Sequence, residues 1–311
     1  MWYTPGLFAV LVTALTVSVA SAVCAAAGVD STQEYLDAYR SDCAFGTAHV
    51  EVLRRYKVLL VPGYFSDLDP VYFSDQLHWL TSSGVEHQKV PVKSRQSVAI
   101  NSLIIATAIR DATKPVILIT HSKASVDALD ALRAETSLRT KVKGWISLQG
   151  AFFGSPVADM LLDGARLNPL VATVILEYLG GTRESARGLT TGASLAYYRD
   201  NKAAIDAVVR EVPAIAFASA LDGASDGQAR STLEIPFELM RRQGIRSDGL
   251  LPLDAAVLPG MAFVKISGVD HIAPVMPAVQ RFDRVRMTKA LLLLLAPFRE
   301  VPSAVPCKGH L

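Results

Sequence analysis

Two kinds of block recur along this chain. Short apolar runs rich in β-branched residues stand between Gly/Pro turns. They are "YKVLLV" at 56–61, closed by Pro62 and Gly63, then "PVILIT" at 115–120, "VKGWISLQG" at 142–150, "PAIAFASA" at 213–220 and "MAFVKISG" at 261–268, with a weaker run, "HQKVPV", at 87–92. Runs of this length and composition read as buried strands. Between them lie longer stretches with apolar residues at helical spacing: 69–84, with Pro70 near its start and Gly84 at its end; 97–112, with a broad stripe of Val98, Leu103, Ile104, Ile105 and Ile109; 123–135, carried by Val126, Leu129 and Leu132; and 284–298. Strands alternating with helices predict a mostly parallel central sheet covered by helices on both faces. The alternation breaks twice. A long apolar helical insertion fills 155–210, and a more polar one fills 221–246. There is no internal repeat.

Composition narrows the class. The chain has 311 residues, half of them apolar, which suits a globular α/β protein with a large core. Its net charge is +2, from 31 basic and 29 acidic side chains. So even a balance gives no electrostatic case for nucleic-acid binding. Residues 1–28 form a separate apolar leader with no charged side chain, ending near the small-x-small site Ala20-Ser21-Ala22. This reads as a signal peptide for export to the periplasm or beyond. Its n-region, "MWYTPG", lacks Lys and Arg, so an uncleaved membrane anchor is the alternative. Residues 29–311 then form the folded domain. Removing the leader leaves Cys43 and Cys307, a pair that an oxidising compartment would allow to join the two ends of the domain.

The chemistry centres on "KPVILITHSKASVDALDAL". Ser122 stands in a sharp strand-to-helix turn at the carboxyl end of the best strand, where open α/β sheets collect their functional groups. The G-x-S-x-G pattern of a nucleophile elbow is not met, because Thr120 and Ala124 occupy the glycine positions. A serine capping the following helix would produce similar text. No G-x-G-x-x-G or P-loop is present, and no metal-ligand spacing, so no cofactor is expected.

The stretch "THSKAS" nevertheless resembles the elbow of α/β-hydrolase lipases and esterases, with His121, Ser122 and Lys123 matching the family text. "VLLVPGYFSD" at 58–67 is similar to the family's oxyanion strand and turn, with Pro62 where a His is usual. "WISLQGAFFGSPVAD" at 145–159 resembles the Gly-Ser-Pro loop of bacterial lipases, and "GLTTGASLAYYRDN" at 188–201 is loosely similar to the segment after their lid. The resemblance spans roughly residues 57–275, in family order. It implies an α/β-hydrolase fold with a helical cap at 155–210. It also implies Ser122 as nucleophile, with the backbone N–H groups of Tyr64 and Lys123 as oxyanion donors. The family order of nucleophile, acid and then base leaves His271, in "KISGVDHIAPV", as the base, since His49, His78 and His87 come earlier, His121 lies in the elbow and His310 in the tail. Asp248, in "IRSDGLLP", resembles the family acid. Asp222, Asp226 and Asp254 are rivals for that role, and Asp270 is expected to face away.

The reading is a secreted esterase or lipase acting on an acyl or lipid ester. Leu161, Leu162, Leu167, Leu170, Val174 and Leu176 of the cap would suit an acyl chain or a lipid surface, or would pack as a helical core. An inactive hydrolase-fold binding protein and an acyltransferase using the same triad are the alternatives.

Overall fold

The computed structural model describes residues 28–41, 44–64, 66, 70–162, 187–222, 233–277 and 282–301. The leader, Cys43, Cys307, Asp226 and residues 163–186 of the expected cap, with Leu167, Leu170, Val174 and Leu176, lie outside these residues. Six strands form one wholly parallel sheet: β1 (Lys57–Val61), β2 (His87–Lys89), β3 (Val116–His121), β4 (Val142–Leu148), β5 (Ala214–Ala220) and β6 (Ala262–Ser267). Their order across the sheet is β2-β1-β3-β4-β5-β6.

Both faces of the sheet are buried, which is why its strands read as continuous apolar runs. Side chains alternate between the two cores with the period of two that a strand imposes. Val58, Leu60, Ile117, Ile119, Ile146, Leu148, Ile215 and Phe217 point to one side. There they meet α1 (Thr32–Arg40), α2 (Thr47–Leu53), α3 (Ser74–Ser82) and the closing helix Arg284–Leu293. Leu59, Val61, Val116, Leu118, Trp145 and Ala216 point to the other side. That side is covered by α4 (Val98–Asp111), α5 (Lys123–Ala134) and the helix Lys202–Glu211.

The six strands fall where the apolar runs predict them. The second is shortened to three residues, and the helix expected over 69–84 covers only Ser74–Ser82. The helix expected over 284–298 is in two pieces, Arg284–Leu293 and Ala296–Arg299. Pro297 explains the break, since it has no N–H to donate and its ring collides with the carbonyl four residues back. On α4, Ile105 and Ile109 are buried, whereas Leu103 is 69% exposed. Two residues along a helix turn the side chain by about 200°, so Leu103 faces away from Ile105. The polar stretch 30–56 yields α1 and α2, which the apolar pattern did not announce. Just before α1, Ser31 N–H donates to Phe263 O (2.8 Å) and Phe263 N–H to Val29 O (2.9 Å). This pairing covers the exposed edge of β6.

Part of the 155–210 insertion is described. It leaves through Pro156–Leu162 and returns through Thr191–Asp200. The two ends are tied together: Ser155 N–H donates to Leu189 O (2.9 Å), and Asp159 accepts from both the Thr191 N–H (2.9 Å) and its hydroxyl. The helix Lys202–Glu211 buries Ile205 and Val208 in the same core as α5.

Leu60 is fully buried at the centre of the first core. Leu60→Ala is expected to lower unfolding free energy by about 2–5 kcal/mol through lost transfer energy and the cavity left behind. Urea denaturation checks this, and a loss under about 1 kcal/mol would contradict the packing described.

Candidate active site

The first loops after β1, β3, β4, β5 and β6 converge at the carboxyl end of the sheet, where the strand ends and helix starts leave a crevice. β3 ends at His121 and α5 begins at Lys123, so the turn between them is the single residue Ser122. Ser122 has φ 56° and ψ −127°. A non-glycine residue in this region carries strain of about 1–3 kcal/mol, sustained only when surrounding structure holds it. Here the holding bonds are visible. Ser122 N–H donates to Leu148 O on β4 (2.9 Å), and its own carbonyl accepts from Ser125 (3.0 Å) and Ala151 (3.3 Å).

The two absent glycines are compensated differently. Ala124 is small enough to be fully buried. Thr120 is also fully buried, and its hydroxyl is built into a polar cluster. The Trp145 indole N–H donates to Thr120 Oγ1 (2.9 Å), Thr120 Oγ1 bonds Ser125 Oγ (2.8 Å), and Ser147 bonds the same Ser125 oxygen (2.9 Å). A buried threonine hydroxyl is tolerated at this corner because it is fully hydrogen-bonded.

Ser122 Oγ lies 2.9 Å from His271 Nε2, and His271 Nδ1 lies 2.7 Å from Asp248 Oδ2. The three residues named from the sequence, 149 positions apart at the extremes, therefore form one hydrogen-bonded chain. Asp248 is 1% exposed. Its second oxygen accepts from the N–H groups of Leu250 (2.9 Å) and Leu251 (2.7 Å), so the carboxylate is satisfied on both oxygens. Gly249, at φ 101°, allows the chain to turn back over it. The Asp248 loop is tied to the sheet by Leu221 N–H on Ser247 O (2.8 Å) and to the next loop by His271 N–H on Asp248 O (2.9 Å).

The rival acids stand elsewhere. Asp222 is exposed, and Asp254 is exposed and paired with Lys265 (2.6 Å). Asp270 turns from the imidazole and accepts from the N–H groups of Ile272 (2.8 Å) and Ala273 (2.7 Å).

Of the two expected oxyanion donors, Lys123 opens α5, where a first-turn N–H has no partner within the helix. Its side chain is buried and ion-paired with Asp127 (2.8 Å), which also accepts from Asn101 (3.1 Å). Burial pushes the Asp127 carboxyl up to about 6, against the pull of Lys123 and Asn101. Tyr64 follows Gly63, and Gly63 touches the elbow: a Cβ there would lie 2.7 Å from His121 O and 3.0 Å from Ser122 Cβ. Only glycine lets the β1 loop come this close.

Two side chains that the sequence did not single out for the site lie behind this chain of contacts. Tyr72 and Gln149 are buried, and both bond His121. Gly63 N–H donates to the Tyr72 hydroxyl (3.0 Å). A polar residue ending an apolar strand, as Gln149 does, was the available signal. Tyr72 carried none, because it lay in a stretch read as helix. Among the described residues, no group of three or more His, Cys, Asp or Glu side chains could hold a metal ion, and no helix is long and apolar enough to cross a membrane.

A wholly parallel sheet of this order, with a strained serine turning from strand to helix at its carboxyl end, is the α/β-hydrolase fold, and this chain has it. No family model and no curated sequence matches the chain. Solved structures do. A metagenomic carboxyl esterase superposes with a TM-score of 0.61 at 21% identity, over 78% of this chain and 76% of its own. The mature form of a lipase from Bacillus licheniformis gives 0.58 at 18% identity, over 70% and 85%. The phospholipase PlaB from Legionella pneumophila, in complex with thio-NAD, gives 0.53 at 12% identity, over 77% and 57%.

The strained turn has a stability consequence. Ser122→Gly keeps the backbone path but removes the Cβ penalty, partly offset by a freer unfolded chain. It is expected to raise unfolding free energy by about 1 kcal/mol, or roughly 2–4 °C in Tm. Calorimetry measures this; a lowered Tm would show that the serine is not strained in the folded protein.

Proposed function

We propose that this chain is a serine hydrolase of carboxylic esters. The observation that carries the reading is the continuous Ser122–His271–Asp248 hydrogen-bonded chain ending on a serine held at positive φ. In this reading His271 Nε2 takes the Ser122 proton as Oγ attacks the ester carbonyl. Asp248, fixed by two backbone N–H groups and by His271 itself, holds the Nδ1–H tautomer and stabilises the imidazolium. The N–H groups of Lys123 and Tyr64 receive the oxyanion, each worth about 10²–10³ in kcat for such a donor. His271 then returns its proton to the leaving alcohol. A water, deprotonated by the same imidazole, releases the acid and restores Ser122.

The solved structures with this fold include proteins named as an esterase, a lipase and a phospholipase, which supports an ester as the bond attacked. An acyl or lipid ester is the substrate class we favour, with the cap at 155–210 as the part that would meet the chain or a lipid surface. The apolar leader supports an exported enzyme. A non-catalytic binding role, which the missing glycines favoured, fits less well with a serine that remains in the strained turn and bonded to an imidazole.

The test is hydrolysis of p-nitrophenyl esters from acetate to palmitate by the protein without residues 1–28. Ser122→Ala is expected to lower kcat by about 10⁴-fold or more, and Asp248→Asn by about 10³–10⁴-fold with KM little changed. The chain-length optimum would separate esterase from lipase. No turnover of any ester, with no labelling of Ser122 by a fluorophosphonate, would refute the reading.

A further inference from the structure

Behind the serine, the His121 ring is 3% exposed and meets groups from three segments, at Tyr72, Gln149 and His271. Its Nε2 faces two acceptors, the His271 carbonyl oxygen (2.8 Å) and Gln149 Oε1 (3.2 Å). The Gln149 amide is oriented by its other end, which donates to the Asp270 carbonyl (2.9 Å) and to Ser219 Oγ. A carbonyl oxygen cannot donate, so Nε2 must carry the hydrogen. In a neutral ring Nδ1 is then an acceptor, and its partner is the Tyr72 hydroxyl. Tyr72 therefore donates to His121, and its oxygen is left to accept the Gly63 N–H (3.0 Å). The ring is neutral because it is buried and lies beside His271, with centroids 4.8 Å apart, and its pKa is lowered to about 3.

We propose that Tyr72 and His121 are positioning residues of the active site. A one-way chain from Gly63 N–H, through the Tyr72 hydroxyl and the His121 imidazole, to the carbonyl of His271 holds the oxyanion loop and the base in one register behind Ser122. This rests on the hydrolase reading for its effect on rate, though not for its geometry. Three further bonds fix the same frame. Phe73 N–H donates to Val275 O (2.8 Å), Gln76 Nε2 to Pro274 O (2.8 Å), and Gln149 to Asp270 as above. The segment beginning at Tyr72 thus grips the oxyanion loop with one residue and the base's loop with the next.

The decisive variant is Tyr72→Phe, which keeps the ring and its edge-on contact with His121 but removes both hydrogen bonds. Loss of register of under about 1 Å is expected to lower kcat for a p-nitrophenyl ester about 10–100-fold. KM is expected to stay within about 2-fold, since ground-state binding is untouched. His121→Gln, whose amide can still donate to the His271 carbonyl, is expected to keep more activity than His121→Ala. Unchanged kcat in Tyr72→Phe would overturn the proposal, as would equal losses in the two His121 variants. A separate measurement needs no substrate: ¹⁵N NMR of the wild-type imidazoles. His121 is expected to show a protonated Nε2 and a bare Nδ1 throughout about pH 5 to 8, the range in which an unperturbed imidazole titrates. A protonated Nδ1, or titration within that range, would overturn the chain's direction. If wild-type protein turns over no ester and Ser122 takes no fluorophosphonate, the hydrolase reading fails, and this spectrum alone decides the geometry.

Discussion

Everything at the carboxyl end of this sheet depends on one backbone turn. β3 runs directly into α5 with only Ser122 between them, at φ 56°. A turn this tight lifts the serine hydroxyl clear of both elements, and it persists only because neighbouring strands bind it. β4 supplies an acceptor from Leu148, and the loop after it supplies a donor from Ala151. The β1 loop presses on the turn through Gly63, which has no side chain to keep it away. The strain sits at the residue whose exposure the proposed chemistry needs, and the cohesion of the parallel sheet sustains it.

Polar groups buried around this turn are joined to one another rather than left isolated, as a low-dielectric interior requires. Beneath the elbow, Thr120, Ser125, Ser147 and Trp145 share one cluster of bonds. Behind it, Tyr72, His121 and Gln149 share another, which reaches the backbone of Asp270 and His271. The first cluster takes the place of the small residue at 120. The second joins loops that come from opposite ends of the chain. Lys123 and Asp127 form a third pair, buried in the first turn of α5, so the helix that starts beneath the serine is anchored by charge as well as by Leu129 and Leu132.

Apolar runs bounded by Gly and Pro located all six strands, because a strand buried on both faces has little room for polar residues. The order of elbow, acid and base along the chain pointed to Ser122, Asp248 and His271, and these are the residues that meet in space. α1 and α2 were missed because they are short and mixed in polarity and draw their order from packing, α1 on the closing helix and β6 and α2 on the helix Ala296–Arg299. The exposure of Leu103 was missed because periodicity shows which residues are apolar, and cannot show which side of a broad stripe the core will cover.

The sequence by itself determined the layering of the fold and singled out Ser122 and His271, since both rest on local spacing and residue chemistry. Tertiary structure decided which aspartate reaches the imidazole. Asp222, directly after a strand, stood as a rival to Asp248, but only Asp248 lies on a loop whose own N–H groups fold back onto one carboxylate oxygen and turn the other toward His271. It also decided that Tyr72, in a stretch that reads as helix, stands between the β1 loop and His121. Hydrogen-bond direction over long sequence separations depends on which acceptors surround a ring, and those are fixed only when distant segments have packed together.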